Sequence, residues 1–171
     1  IKFCSGKIDV DYSIIINNFM QMDFSEYSLF NCIFVLGNGI NYPISLESSL
    51  KLKELTYIFS QGYPIGELKH GPFALINNKT LIFILANTKD STKLNRYVST
   101  YEEIKTRGGY PVLICFKNTL SDKMNKIEIE DTKYSEIDIV ILFQIISMKI
   151  AKFKNNTIDN PKNLAKCVTV I

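Results

Sequence analysis

The stretch SLESSLKLKELTYIFS, residues 45–60, places Glu47, Lys51 and Glu54 at spacing i, i+4, i+7. On a helical wheel of about 100° per residue, Lys51 falls at about 40° from Glu47 and Glu54 at about −20°. The three side chains form one stripe. Leu46, Leu50 and Tyr57 flank it on one side, and Leu52, Leu55, Ile58 and Phe59 on the other. The opposite face carries Ser49, Lys53, Thr56 and Ser60 and is the expected solvent side. An ordinary amphipathic helix has the reverse arrangement, with its charges turned away from the apolar arc. Unpaired charges are costly to bury, so such a stripe suits the wall of a polar pocket. A lysine between two carboxylates keeps at least one of them ionised, and an ionised carboxylate there can take a proton from carbon next to a carbonyl. The plainer alternative is two neighbour pairs along a helix, each worth about 0.2–0.5 kcal/mol. The second candidate is His70 in GELKHGP, residues 66–72, the only histidine of the chain. It stands between a lysine and a Gly-Pro turn, so it is either an exposed turn residue or a proton-transfer group carried on a loop.

These groups need elements to position them. NCIFVL (31–36), TLIFILA (80–86) and YPVLICF (110–116) are short, continuous apolar runs, the pattern of strands buried on both faces in a parallel sheet. IEI (127–129) is a shorter fourth strand. Helical patterns occupy 9–22, 42–60 and about 91–107, the last with Leu94, Val98, Tyr101 and Ile104 on one side and Gly108-Gly109 as its stop. A long helix covers roughly 136–153, with Ser135 as its cap. The alternation predicts an α/β fold, a three-layer αβα sandwich on a parallel sheet. Gly37-Asn38-Gly39 follows the first strand and leads into the helix of the charged stripe, so backbone N–H groups face the space above the strand end. Tyr42 stands at the third position of the GxGxxG pattern, which argues against a dinucleotide.

Bulk properties narrow the classes. The chain has 171 residues, 46% hydrophobic and 22% charged, a balance that supports a core without staples. A net charge of +3 with no basic run gives no reason to expect nucleic acid. No apolar run reaches the roughly 18 residues of a membrane span. Cys4, Cys32, Cys115 and Cys167 form no CxxC pair, and one histidine leaves no zinc site, so neither metal nor cofactor is expected. Buried reduced thiols at Cys32 and Cys115 suit a reducing, cytoplasmic compartment. The chain opens at Ile1 without a methionine or signal-like segment and reads as a piece of a longer protein.

Residues 42–76, YPISLESSLKLKELTYIFSQGYPIGELKHGPFALI, closely resemble a stretch of the isomerase half of the glutamine–fructose-6-phosphate amidotransferase family, and NPKNLAKCVTVI (160–171) resembles its C-terminal end. The likeness runs from about residue 14 onward. It implies a flavodoxin-like sugar isomerase (SIS) domain over residues 1–153, the second of two in that family, followed by a C-terminal catalytic tail over 154–171. It also implies conversion of fructose 6-phosphate and glutamine-derived ammonia to glucosamine 6-phosphate. By resemblance, Glu54 is the base that moves a proton between C1 and C2, and Lys51 holds the reacting oxygens. Glu47 is an acidic neighbour. His70 opens the sugar ring from the partner subunit of a homodimer. Lys166 forms a Schiff base with the ketose carbonyl, beside a backbone contact from Ala165. Lys162 stands where the family has arginine, Cys167 where it has serine, Asn38 where a basic residue is common, and Ile171 where an acidic residue is usual; Ser48-Ser49 replaces a smaller pair. The family's glutaminase domain and its first SIS domain, which holds the sugar phosphate on a Ser/Thr loop, have no counterpart in this sequence, so the chain by itself is expected to be inactive in synthesis. The alternatives are another SIS sugar-phosphate isomerase or deglycase, and a non-catalytic sugar-phosphate-binding or dimerisation module.

Overall fold

Strand alternation sorts the apolar side chains into two cores. In the computed structural model, which describes residues 11–164, strands β1 (Cys32–Gly37), β2 (Phe59–Pro64), β3 (Thr80–Ala86), β4 (Tyr110–Phe116) and β5 (Lys126–Ile129) form one sheet in the order β2-β1-β3-β4-β5. Every neighbouring pair is parallel. Ile33, Val35, Leu81, Phe83, Leu85, Val112 and Ile114 point to one face, while Phe34, Leu36, Ile82, Ile84, Leu113 and Cys115 point to the other. Helices α1 (Tyr12–Gln21), α2 (Asn41–Thr56) and α4 (Ser135–Phe153) belong to the first face; α3 (Ser91–Thr106) covers the second through Tyr97, Tyr101 and Ile104. The central strands are sealed on both sides, which is why they read as unbroken apolar runs. The expected three-layer α/β sandwich with a parallel sheet is the observed fold. Phe83 anchors the first core, with its ring edge-on to Tyr27 and Phe143 at centroid distances of 5.4 and 5.0 Å.

Three expectations differ from the structure. The helix predicted over 42–60 stops at Thr56, and residues 59–64 form edge strand β2. With only one strand neighbour, β2 does not need an apolar run, and FSQGYP carries no strand signal of the kind seen in β1, β3 and β4. Ser135 does not cap α4: it is the first helical residue, and its hydroxyl accepts a hydrogen bond from Asn87 Nδ2 at 3.3 Å.

The third difference is the buried face of α2. The side expected in solvent is largely the buried one. Besides Asn41 in the first turn, Ser45, Ser48, Ser49, Leu52 and Thr56 are the buried side chains, and only Lys53 of the expected polar face is exposed. Each buried hydroxyl donates to a carbonyl of its own helix: Ser45 to Tyr42 at 2.6 Å, Ser48 to Ile44 at 2.7 Å, Ser49 to Leu46 at 2.8 Å and Thr56 to Leu52 at 2.7 Å. No hydroxyl on this face is left unpaired, so the desolvation cost that normally keeps serine outside is largely removed. Small side chains also let the helix lie close to the sheet. A Cβ built on Gly62 of β2 would come 2.8 Å from the Ser45 carbonyl, and one on Gly37 would collide with the backbone of Asn41. A Gly62→Ala substitution therefore forces α2 away from β2. We expect a loss of about 1–3 kcal/mol, read as a lower urea midpoint with an unchanged slope.

Candidate functional site

The close packing of α2 determines what its other side presents. With the serine face against the sheet, Glu47, Lys51 and Glu54 lie along the partly open flank. Their side chains are 42%, 29% and 27% exposed. Lys51 Nζ donates to Glu54 Oε2 at 2.9 Å and stands 3.6 Å from Glu47 Oε1. The hydrogen bond it donates to Glu54 pushes the Lys51 ammonium above its usual pKa, with further help from the charges of Glu54 and Glu47, so Lys51 is firmly cationic at neutral pH. The stripe is thus real, and its members meet as the spacing requires. It is not buried in the core: Leu46 and Leu50 beside it are 40% and 39% exposed. The result is a half-open wall carrying two carboxylates, one held by a cation, next to apolar surface. Such a wall can position a polyhydroxylated ligand and exchange a proton with it.

The C-terminal segment comes back to the end of this helix. Tyr57 caps α2 in the left-handed conformation, φ 58°, a costly backbone for a residue with a side chain. Its hydroxyl accepts a hydrogen bond from the Lys162 backbone N–H at 2.8 Å, and its ring lies under the Lys162 ammonium at 4.4 Å. Asn156 Nδ2 adds a bond to the Leu55 carbonyl at 2.9 Å. Residues 154–164 are therefore tied to the helix end one turn from Glu54. Ala165 and Lys166 lie outside the described residues. The Lys162 ammonium therefore lies over an aromatic face at the position where the resemblance places an arginine.

His70 is exposed at the end of the 3-10 helix Ile65–His70 that follows β2. No hydrogen bond or ion pair joins it to the charged stripe among the described residues. The glycine turn after β1 is closed by Asn41 N–H to Asn38 O and Tyr42 N–H to Gly39 O, both at 3.1 Å. Beneath it, buried Asn41 donates to Asn87 Oδ1 at 2.7 Å, and Asn87 reaches Ser135. This chain of polar contacts joins the starts of α2 and α4 to the end of β3. The sequence reading missed it because each residue looked like an isolated loop or helix-end residue.

The SIS domain family profile matches residues 30–144, and the chain belongs to that family. Over 170 residues it is 41% identical to the glutamine–fructose-6-phosphate aminotransferase (isomerizing) of Buchnera aphidicola subsp. Baizongia pistaciae, covering 91% of this chain and 27% of the relative. The enzyme of the same description from Caldanaerobacter subterraneus subsp. tengcongensis is 38% identical over 168 residues, covering 94% of this chain and 27% of its own length. The chain thus spans about a quarter of these relatives. Among solved structures, the C-terminal domain of glucosamine-fructose-6-phosphate aminotransferase from Francisella tularensis superposes with a TM-score of 0.74 at 31% identity, covering 87% of this chain and 43% of that one. Glucosamine-6-phosphate deaminase from Thermotoga maritima shares the fold, with a TM-score of 0.67 at 23% identity, covering 92% of this chain and 45% of that one.

The contacts of Tyr57 can be tested without reference to activity. Tyr57→Ala removes the hydrogen bond and the cation–π contact together, worth about 1.5 kcal/mol in sum. Amide exchange of residues 158–164 should quicken roughly tenfold. Tyr57→Phe, which keeps the ring, should give a smaller increase.

Proposed function

We propose that this chain is the second SIS domain and terminal catalytic segment of a glutamine–fructose-6-phosphate aminotransferase, with the domain over residues 1–153 and the tail over 154–171. The observation that carries this reading is the Glu47–Lys51–Glu54 stripe on the open flank of α2, with the C-terminal segment tied to Tyr57 one turn away. The relatives are named as glutamine–fructose-6-phosphate aminotransferases (isomerizing); on this reading the substrates are fructose 6-phosphate and glutamine, whose nitrogen is delivered as ammonia.

Each residue then has a role. The Lys166 amine attacks C2 of the open-chain ketose, water leaves, and an imine forms. Ammonia adds to that imine and displaces the lysine, leaving an imine of ammonia at C2. Glu54 takes a proton from C1 and returns one to C2, while the proton of the C1 hydroxyl passes to the C2 nitrogen, so that the imine becomes the amine and C1 the aldehyde carbonyl of glucosamine 6-phosphate. Lys51, cationic through its bond to Glu54, stabilises charge on the sugar oxygens as the C1 proton leaves. Glu47 holds the lysine from the other side, and Ala165 lends a backbone contact. His70, exposed on its turn and not bonded to the stripe among the described residues, serves ring opening in the neighbouring subunit of a homodimer. A glutaminase domain and a first SIS domain with the phosphate loop complete the enzyme, which works in the cytoplasm. No helix among the described residues is long and apolar enough to cross a membrane.

The test uses the full-length enzyme. Borohydride reduction in the presence of fructose 6-phosphate should fix a hexose phosphate on Lys166, seen by peptide mass, and Lys166→Met should abolish the adduct. Glu54→Gln should cut aldose–ketose turnover by roughly a hundredfold or more while still forming the adduct, since proton transfer by one positioned group contributes about 10²–10⁴ in rate. Sugar phosphate bound without any adduct, together with full turnover in Glu54→Gln, would mean a non-catalytic binding module.

A further inference from the structure

A cavity of about 280 Å³ lies at the β5 edge of the sheet, between α1, the ends of β4 and β5 and the first turn of α4. The sheet order puts it at the opposite edge from β2. Ile15, Phe19, Met22 and Ile129 form its apolar wall. Its charged lining is Lys117, Glu128, Glu130 and Asp138, and exposed Asn18 adds an amide from α1. It shares no residue with the Glu47–Lys51–Glu54 stripe.

The three carboxylates of this lining are not equivalent. Glu130 pairs with Lys117. Glu128 pairs with Lys126 at 2.8 Å and accepts the Asn118 N–H at 3.2 Å. Asp138 has no cation partner among the described residues, although it is only 2% exposed. Its Oδ2 accepts the Thr132 hydroxyl at 2.6 Å, while its Oδ1 is buried without a hydrogen bond. The first turn of α4 favours a negative charge, and Thr132 holds one oxygen there, but neither satisfies the other oxygen. A buried acceptor without a donor carries its full desolvation cost, and a carboxylate carries more than a neutral group. The Tyr12 hydroxyl of α1 is buried and unbonded as well. Burial pushes its phenol up, and the charge of Asp138 adds to this, so the two groups share a corner without bonding. Burial also pushes the Asp138 carboxyl above its usual range, against the bond from Thr132. A primary ammonium offers this corner a positive charge and three donors. The four apolar side chains accept a short hydrocarbon, and the volume is below that of drug-sized sites, so the ligand is compact. A metal ion is a poor match, because no group of three His, Cys, Asp or Glu side chains among the described residues could hold one.

We propose that this cavity binds a small aliphatic ammonium compound, with its nitrogen on the Asp138 carboxylate and its hydrocarbon against Ile15, Phe19 and Met22. The site goes beyond the aminotransferase reading and does not depend on it. Titration of the ¹⁵N-labelled chain with n-butylammonium chloride at constant ionic strength tests it. The expected result is saturable shifts at the amides of Phe19, Met22, Ile129 and Asp138. 1-Butanol, which has the same body without the charge, should bind about tenfold more weakly or worse. Asp138→Asn keeps the shape and an acceptor for Thr132, and should lower the affinity for butylammonium about ten- to a hundredfold. Asn18→Lys sets a competing cation at the cavity from an exposed position of α1 and should abolish binding. It leaves the core untouched, so it decides the matter if Asp138→Asn does not fold. Shifts that fail to saturate, or that saturate at the parent's concentration in either variant, would overturn the proposal. So would 1-butanol binding as tightly as butylammonium, because the Asp138 charge would then have no part in recognition.

Discussion

The close contact of α2 with the sheet governs the rest of the molecule. Three serines and a threonine fold their hydroxyls back onto their own helix, so a polar face becomes dry surface that can be buried. Glycine at positions 37 and 62 removes the last side-chain atoms that would hold helix and strands apart. This fixes the rotation of α2 about its axis. Once the serines face inward, Glu47, Lys51 and Glu54 lie on the flank, where their side chains stay partly exposed.

The same helix organises the C-terminal segment. α2 ends on Tyr57 in a left-handed conformation that few residues with a side chain adopt, and that residue receives the returning chain through Lys162. Backbone strain of this kind persists where surrounding contacts hold it in place. Here those contacts come from residues more than a hundred positions away in sequence. The helix thus carries the acid–lysine–acid wall on one side and the anchor for the tail at its end. Its first turn is pinned to β3 by Asn41 and Asn87. Both ends of the proposed catalytic wall are fixed, while the apolar residues beside it, Leu46 and Leu50, remain open.

The two faces of the sheet carry different electrostatics. On the α2 side, acids and a lysine largely neutralise one another within a few ångströms. On the α3 side, Lys69 pairs with Glu103 and Lys93 with Asp90, which leaves the Arg96 side chain without an ion-pair partner among the described residues. Glu54 lies toward the end of α2, near the start of β2, whereas the α3 cluster lies by the turn after β1, at the carboxyl ends of the strands, where doubly wound sheets commonly bind ligands. The sheet order β2-β1-β3-β4-β5 places the crossover between β1 and β3 there.

The parallel sheet was legible in the sequence because β1, β3 and β4 are covered on both faces and had to be apolar throughout. The stripe of Glu47, Lys51 and Glu54 was legible because helical spacing alone brings those three together. The direction in which the stripe faces was not. Hydrophobic patterning takes serine and threonine for solvent-facing residues, and only the folded backbone shows that their hydroxyls are already satisfied. Strand β2 was hidden because an edge strand ending in Gly-Tyr-Pro needs neither alternation nor an apolar run. The seating of residues 154–164 on Tyr57, and the Lys69–Glu103 pair that ties the turn after β2 to α3, arise from groups far apart in the chain. Local sequence determined which residues could act; the meeting of distant segments, decided by packing against a shared sheet, determined where they stand.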